Sequence, residues 1–169
     1  MEWARRRPGS VRALVLTAST ACFVQRHDWS HAMAPATLAQ FGDEFATSYR
    51  RTLLRFLTLQ LQGSEQGHLA LAQLGGHLFD RGEPDRATLR AASGLLATTD
   101  LRDVVRTIEV PALVVGGERD TLVPGDAVRW LANALPRATL EIVSGAAHAP
   151  FLSHPEAFVA ALDQFCDEH

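Results

Sequence analysis

Short apolar segments alternate along the chain with longer stretches of helical period. Three of the apolar segments, residues 11–17, 112–117 and 140–143, have the length of buried strands and end at small or polar residues. Amphipathic helices are predicted over residues 125–135 and 154–166, on either side of the last strand. Strands separated by helices favour an α/β fold in which a parallel sheet is flanked by helices.

The longest helical pattern lies between the first two predicted strands. Over residues 41–62, aromatic and leucine side chains recur at four-residue spacing, and the other side carries Arg50, Arg51 and Arg55. The pattern predicts one long amphipathic helix. By themselves, the three arginines are most simply explained as a solvated helix face.

Further helices are predicted before the second strand, over residues 65–79, 85–97 and 100–107. A block of helices inserted between two strands of a sheet is typical of a cap or lid. The predicted organisation is therefore a core segment (1–24) with a helix end and a strand, a helical cap (25–98), and a second core segment (99–169).

The first residues predict the end of a helix. Residues 1–7 place three arginines at the C-terminal end of a helical stretch, where the helix dipole favours positive charge, and Pro8-Gly9 terminates it. The chain thus opens with a helix end, a turn and a strand. A longer protein would begin in this way if it were cut within a strand–helix–strand unit.

Length and composition exclude several classes of function. The 169 residues, 47% of them hydrophobic, suffice for one domain that buries about 70% of its unfolded surface. A net charge of −3 offers no footprint for nucleic acid, so no nucleic-acid partner is expected. No apolar run is long enough to span a bilayer, and no membrane partner is expected. The two cysteines, Cys22 and Cys166, are far apart, which favours a reduced, cytoplasmic protein.

Cys22, His27 and His31 lie close enough in sequence to raise the question of a metal site. Structural zinc sites usually require four ligands with closely spaced pairs, and no fourth candidate is near. A small buried residue beneath a loop is the simpler interpretation of Cys22. No metal site is therefore expected.

Two residues of the kind that acid–base catalysis uses follow consecutive predicted strands. Asp120 comes shortly after the strand at 112–117, and His148 comes shortly after the strand at 140–143. Because the carboxyl ends of parallel strands lie along one edge of a sheet, we expect the two side chains to meet there. A carboxylate beside a histidine orients the imidazole and stabilises its charged form, as in a Ser-His-Asp system. A structural histidine and a helix-capping aspartate are the alternatives.

The two loops resemble those of the α/β-hydrolase family. Residues 120–124, Asp-Thr-Leu-Val-Pro, resemble the acid loop of that family, and residues 145–151, Gly-Ala-Ala-His-Ala-Pro-Phe, resemble its histidine loop. The order, acid before histidine, is also that of the family. The resemblance implies the C-terminal part of an α/β-hydrolase fold with an inserted helical cap.

The serine nucleophile of the family is missing from this sequence. No G-x-S-x-G motif occurs in the 169 residues, and the resemblance places the serine just upstream of Met1. We therefore expect the isolated polypeptide to show no meaningful serine-esterase turnover. The strand at 11–17 would also lack a neighbour, so we expect aggregation or dependence on a complementing N-terminal half.

Within the family, further segments resemble the biotin-pathway carboxylesterases that cleave the methyl ester of an acyl chain carried on acyl-carrier protein. These segments are residues 21–23, 28–29, 51–60, 99–102 and 146–151. The resemblance implies that Phe56, Leu57, Thr58, Leu59 and Gln60 line the acyl channel. It also implies that Arg51 and Arg55, one helical turn apart, bind the acidic carrier protein. Where the family has two more arginines, this chain has His68 and Ala72.

The function implied by the resemblance is hydrolysis of a carboxylic ester by a Ser-Asp-His mechanism in the intact parent, without a metal or organic cofactor. Another α/β-hydrolase activity, such as that of a peroxidase, lactonase or dehalogenase, would share Asp120 and His148. A non-catalytic remnant that binds an acyl chain or a partner is the other alternative.

Overall fold

A three-stranded parallel sheet forms the centre of the structure, a computed structural model that describes residues 1–61, 69, 71–72, 77–80 and 82–169. The strands are β1 (Leu14–Thr17), β2 (Ala112–Gly117) and β3 (Ala138–Val143), in the order β1-β2-β3. All three predicted strands are confirmed, although β1 starts three residues later than predicted and β3 starts two residues earlier. The parallel direction brings the carboxyl ends of all three to one edge of the sheet.

β2 lies in the middle of the sheet, and all six of its residues are buried. Because side chains alternate along a strand, Leu113 and Val115 face one side, where they pack in a cluster with Phe165. Ala112 and Val114 face the other side and belong to the larger apolar cluster. A strand that is apolar on both faces is what the middle of a parallel sheet requires.

Seven α-helices whose bounds lie within the described residues accompany the sheet. They are α1 (Glu2–Arg6), α2 (Pro35–Gln60), α3 (Arg86–Thr98), α4 (Arg102–Val105), α5 (Gly125–Ala134), α6 (Pro150–Ser153) and α7 (Pro155–Glu168). The predicted helix end at the start of the chain is confirmed as α1, and the helices predicted over 85–97, 100–107, 125–135 and 154–166 are confirmed with shifted ends. Most of the helix predicted over 65–79 lies outside the described residues.

α2 differs from its prediction in its start and in its continuity. It begins six residues before the periodic pattern does, and the backbone at Ser48 leaves helical geometry (φ −144°, ψ 53°). The buried Thr52 hydroxyl donates to the Glu44 carbonyl eight residues earlier at 3.1 Å, which an unbroken helix does not allow. The prediction of one long helix is therefore wrong, because two helical segments meet at Ser48.

α2 and α3 pack against each other but bury little. α3 has no buried residue, and α2 buries only Leu38 and Thr52. The main apolar core lies instead between the sheet and its neighbours, where Val128 and Leu131 of α5 are fully buried. Across the described ranges, each helix is either too short or too polar to cross a membrane.

Candidate active site

Asp120 lies in the loop between β2 and α5, and its side chain is fully shielded from solvent. Oδ1 accepts hydrogen bonds from the backbone N–H groups of Leu122 (2.8 Å) and Val123 (2.9 Å). Aspartate favours such turns because its short carboxylate reaches the backbone two and three residues ahead. The turn fixes the carboxylate and leaves Oδ2 for a second partner.

That second partner is His148, in the loop between β3 and α6. Its Nδ1 lies 2.8 Å from Oδ2 of Asp120, and its side chain is 23% exposed. With Asp120 ionised, Nδ1–H donates this bond, which sets the tautomer that leaves Nε2 as a proton acceptor. The predicted meeting of the two side chains at the carboxyl edge of the sheet is confirmed.

Glu118 ties the acid loop to the histidine loop. Its Oε2 accepts hydrogen bonds from the Gly145 N–H (2.8 Å) and the Ser144 hydroxyl (2.9 Å). These two bonds, the Gly145 N–H first, hold the pKa of the Glu118 carboxyl below its usual value. In addition, the Arg119 N–H donates to the Ala146 carbonyl at 2.8 Å. Glu118 was not among the predicted site residues, because its only local signal is its position directly after β2.

Glycines allow the two loops to approach this closely. A Cβ on Gly117 would lie 2.0 Å from the Ala147 carbonyl oxygen and 2.5 Å from that of Ala146. Gly145 adopts a left-handed conformation (φ 74°), which turns the chain after β3 towards Glu118. The backbone before His148 is thus pressed against the end of β2, and this contact holds the imidazole at Asp120.

His148 forms part of the wall of a cavity of about 620 Å³. The other walls come from the chain start, the loop after β1, α2, α3 and the acid loop. Its lining includes Ser19, Thr20, Ala21, Phe56, Leu95 and Leu96. The wall is largely apolar, and the volume lies within the range of small-molecule sites. Since Nδ1 is bonded to Asp120, Nε2 is the ring atom that can act on a molecule in the cavity.

Hydroxyl groups also line this cavity, but they are bonded elsewhere. Ser19 donates to the Thr17 carbonyl at 2.9 Å, and Thr20 donates to the Cys22 carbonyl at 3.1 Å. Neither hydroxyl is within hydrogen-bond distance of His148 in the described structure. A nucleophile activated by His148 would therefore need a hydroxyl other than these two.

The segment from Phe56 to Gln60 forms the last part of α2, and only Phe56 lines the cavity. Leu57 is half-buried, Leu59 is 41% exposed, and the Thr58 hydroxyl donates to the carbonyl of its own helix at Leu54. The Gln60 carbonyl accepts from the Ala149 N–H at 3.3 Å, so α2 ends against the histidine loop. A helix presents successive residues to different sides, so five consecutive residues do not share one face.

Arg51 and Arg55 lie together, away from this cavity. They line a separate depression of about 240 Å³ beside the break in α2, together with Glu44. Arg55 forms an ion pair with Glu44, whereas Arg51 is exposed and forms no ion pair among the described residues. Ala72 is also exposed, and His68 lies outside the described residues.

The three residues considered as metal ligands have other surroundings. The buried Cys22 thiol donates to the Val24 carbonyl at 3.3 Å, and the His27 side chain is 95% exposed. His31 Nδ1 lies 3.6 Å from Asp126 of α5. No cluster of three or more histidine, cysteine or acidic side chains able to hold a metal occurs within the described ranges.

A comparison with protein-family models matches residues 3–161 to the "Alpha/beta hydrolase family". Among curated proteins, the chain is 43% identical over 156 residues to the "Pimeloyl-[acyl-carrier protein] methyl ester esterase" of Nitrosomonas europaea, covering 92% of this chain and 62% of the relative. It is 41% identical over 160 residues to the protein of that name from Chromobacterium violaceum, covering 95% and 62%. The chain thus spans about 62% of the length of these relatives.

Among solved structures, a bromoperoxidase from Bacillus anthracis superposes with a TM-score of 0.81 at 19% identity. The match covers 92% of this chain and 58% of that one. At this identity the likeness concerns the fold alone. It confirms the α/β architecture, while the choice among activities has to come from the site and from the sequence relatives.

Proposed function

The chain belongs to the α/β-hydrolase family, and from that premise we propose that it supplies the acid–base pair and the cap of a carboxylic ester hydrolase. The observation that carries the proposal is the 2.8 Å contact between Asp120 Oδ2 and His148 Nδ1 at the edge of an apolar cavity. This arrangement suits a histidine that takes a proton from a hydroxyl and later returns it to a leaving group.

The proposed substrate is the methyl ester of a pimeloyl chain carried on acyl-carrier protein. The support comes from the relatives of that name, at 40% identity and above, and from the apolar lining of the cavity. Phe56, Leu95 and Leu96 offer apolar surface to a chain of methylene groups. A reacting ester would then lie beside His148, at the polar end of the same space.

In the proposed reaction, His148 Nε2 accepts the proton of a serine hydroxyl while the serine oxygen bonds to the ester carbonyl carbon. The buried carboxylate of Asp120 stabilises the imidazolium that results. The tetrahedral intermediate collapses, and the C–O bond to the methoxy group breaks as His148 protonates it to methanol. In the second half, His148 accepts a proton from water as the water oxygen bonds to the acyl carbon. The bond to the serine oxygen then breaks, the serine regains its proton from His148, and the free acid is released. The 169 residues contain no G-x-S-x-G motif, so the proposed reaction requires a serine that these residues do not supply in that motif.

For the carrier protein, we propose docking through Arg51 and Arg55. The two side chains lie around one depression, and an acidic partner would be attracted to them. Arg51 has no ion pair among the described residues and is available for such a partner. Arg55 would exchange its ion pair with Glu44 for one with the carrier, so its contribution to affinity should be smaller than that of Arg51.

The test assays methanol release by the complete translated product of the gene, with carrier-linked pimeloyl methyl ester and with free dimethyl pimelate. Asp120→Asn should lower kcat by about 10⁴-fold and His148→Ala by at least as much. Asp163→Asn, at an exposed position of α7, is the matched control and should keep full activity.

The two substrates separate the parts of the proposal. If both esters are cleaved equally well, the hydrolase assignment stands and the carrier assignment is wrong. If neither ester is cleaved, or if Asp120→Asn is as active as the control, the assignment of the acid–base pair is wrong. For the isolated 169-residue chain, we expect no burst of p-nitrophenol from a short-chain ester.

A further inference from the structure

Four charged side chains form a cluster outside the cavity, where two of its walls join. They are Arg26, Asp28, Asp100 and Arg102, and we call them the arginine latch. Arg26 and Asp28 belong to the loop after β1, whereas Asp100 and Arg102 follow α3. The cluster therefore joins two segments about 74 positions apart in sequence. None of the four lines the cavity with His148.

Arg102 connects the two carboxylates. Its Nη1 and Nη2 lie 3.0 Å and 3.2 Å from the oxygens of Asp28, and Nη2 also lies 2.7 Å from Asp100. The guanidinium sits over the ring of Trp29 at 5.6 Å, and its side chain is only 19% exposed. These contacts lower the pKa values of Asp28 and Asp100, since the Arg102 hydrogen bonds favour both ionised forms.

Arg26 joins the latch to the end of α3. Its Nη2 donates to the carbonyls of Thr98 (3.1 Å) and Ala97 (3.4 Å), which the last turn of a helix leaves unpaired. Its Nε donates to the buried Cys22 sulfur at 3.3 Å and lies 3.5 Å from Asp100. One guanidinium thus holds the C-terminal end of α3 and the loop after β1 together.

α3 packs against α2 but buries little of its own surface. The helix has no buried residue, and Leu95 and Leu96 are 66% and 44% exposed although both line the cavity. Besides the Arg26 contacts, the Leu101 N–H donates to the Ala21 carbonyl at 2.8 Å, and Cys22 forms an antiparallel bridge with Asp100. Ala21 lines the opposite wall of the cavity. The width of the cavity near His148 therefore depends on how firmly the loop after β1 and the end of α3 are joined.

We propose that Arg26 and Arg102 are positioning residues that hold the α3 wall over the His148 cavity and thereby set the length of acyl chain that it accepts. The position of the wall follows from the latch contacts alone. The statement on acyl length rests on the proposed esterase function. Lysine would not serve at position 102, because an ammonium group cannot bond two carboxylates in the planar, forked manner of a guanidinium.

The first test measures amide hydrogen exchange in the complete translated product of the gene, comparing Arg26→Gln and Arg102→Lys with the wild type. Amides in residues 95–99 and 21–24 should exchange about tenfold faster or more in both variants, while those of β2 should be unchanged. The control is Arg90→Lys, at an exposed position of α3 that has no ion pair among the described residues.

Each variant is judged by the ratio of its α3 exchange to its own β2 exchange, so a general loss of stability does not imitate the effect. If exchange rises equally in α3 and β2, or in neither, the latch is overturned. Should Arg102→Lys fail to fold, Arg26→Gln still tests the latch, because it leaves Arg102 and its two carboxylates in place.

The second test measures kcat/KM of the complete translated product on straight-chain methyl esters of increasing length. In the latch variants, the ratio of kcat/KM for the best ester to kcat/KM for longer esters should fall about tenfold. The change should come mainly from KM. If α3 exchanges faster while the chain-length profile is unchanged, the statement on acyl length is wrong and the latch stands. If no ester is cleaved by the wild type, the proposed function fails, and the exchange experiment still decides on the latch.

Discussion

Gly117 shows how one residue without a side chain sets the distance between the acid loop and the histidine loop. The acid loop and the histidine loop meet there backbone to backbone, and any Cβ would collide with two carbonyl oxygens that cannot rotate away. A displaced Ala146–Ala147 backbone would carry His148 with it. The position of the imidazole relative to Asp120 thus depends on the lack of a Cβ at Gly117.

Gly117→Ala should lower the free energy of unfolding by about 2 kcal/mol or more, because the added methyl group overpacks a rigid contact. Chemical denaturation measures the change. The control is Gly94→Ala, in α3, where a Cβ would meet nothing within 4 Å. That control should gain about 0.5–1 kcal/mol, since alanine is the better helix former. If Gly117→Ala and the wild type unfold at the same denaturant concentration, the close approach of Gly117 to the Ala146 and Ala147 carbonyls is contradicted.

Glu118 predicts a pH dependence of stability at the same junction. Hydrogen bonds from the Gly145 N–H and the Ser144 hydroxyl depress its folded-state pKa below the ordinary value of 4.5. A depressed folded-state pKa means that the stabilisation is present above the unfolded-state pKa and disappears as pH falls through the folded-state pKa. The wild type should therefore be more stable than Glu118→Gln at neutral pH, and the difference should shrink under acidic conditions.

Urea denaturation at pH about 7 and about 3 measures that difference. Glu109→Gln serves as the comparison, because the Glu109 carboxylate makes no hydrogen bond in the part of the chain that the structure describes. Its effect should be small at both pH values. A Glu118→Gln difference that does not change with pH would show that the carboxylate is not the bonded group.

At the scale of elements, α2 is the helix that the sequence misrepresents. Its four-residue apolar period runs through Ser48 without interruption, yet the backbone breaks there. Phe41 contacts Phe45 on the same side of the break, with ring centroids 4.7 Å apart, and contacts Phe56 across the break, with ring centroids 5.2 Å apart. The apolar period therefore does not show whether the helix is continuous, because residues on the two sides of a break can still pack into one apolar cluster.

Thr52→Val should test the break directly. It removes the hydroxyl that bonds the Glu44 carbonyl across the break and should cost about 1 kcal/mol of stability at nearly constant volume. Thr47→Val is the matched control, because the exposed Thr47 hydroxyl bonds carbonyls within its own helical segment and water can replace it. Equal costs for both variants would indicate that the bond across the break contributes nothing.

At the scale of the whole molecule, β1 is an edge strand of the described sheet. It pairs with β2 on one side, and Val15 on its surface is 39% exposed. An apolar edge strand with unpaired backbone groups is a template for association with other chains. The 169-residue chain is therefore expected to aggregate unless another segment covers β1.

Val15→Lys should reduce light scattering by the 169-residue chain at raised protein concentration, because a charge on an edge strand opposes strand-to-strand pairing. Val159→Lys makes the same chemical change at a 48% exposed position of α7. If the two variants suppress aggregation equally, surface charge in general is responsible, and the edge of β1 is not the site of association.

The sequence by itself determined the three parallel strands, most of the helices and the meeting of Asp120 with His148. These features depend on local patterns: apolar runs, helical periods, and polar residues placed at strand ends, whose common edge follows from parallel topology. Such patterns are complete within short windows of sequence. For this reason the acid and histidine loops could be interpreted without coordinates.

Only the tertiary structure decided the break at Ser48, the bond from Glu118 to the histidine loop, and the restriction of the cavity wall to Phe56 within its segment. The arginine latch also emerged only there, since its two halves are far apart in sequence and neither half is distinctive alone. Each of these features depends on which distant groups become neighbours after folding. Such pairs leave no periodic pattern in the sequence, because the packing of the whole chain determines which carboxylate lies next to which guanidinium or backbone group.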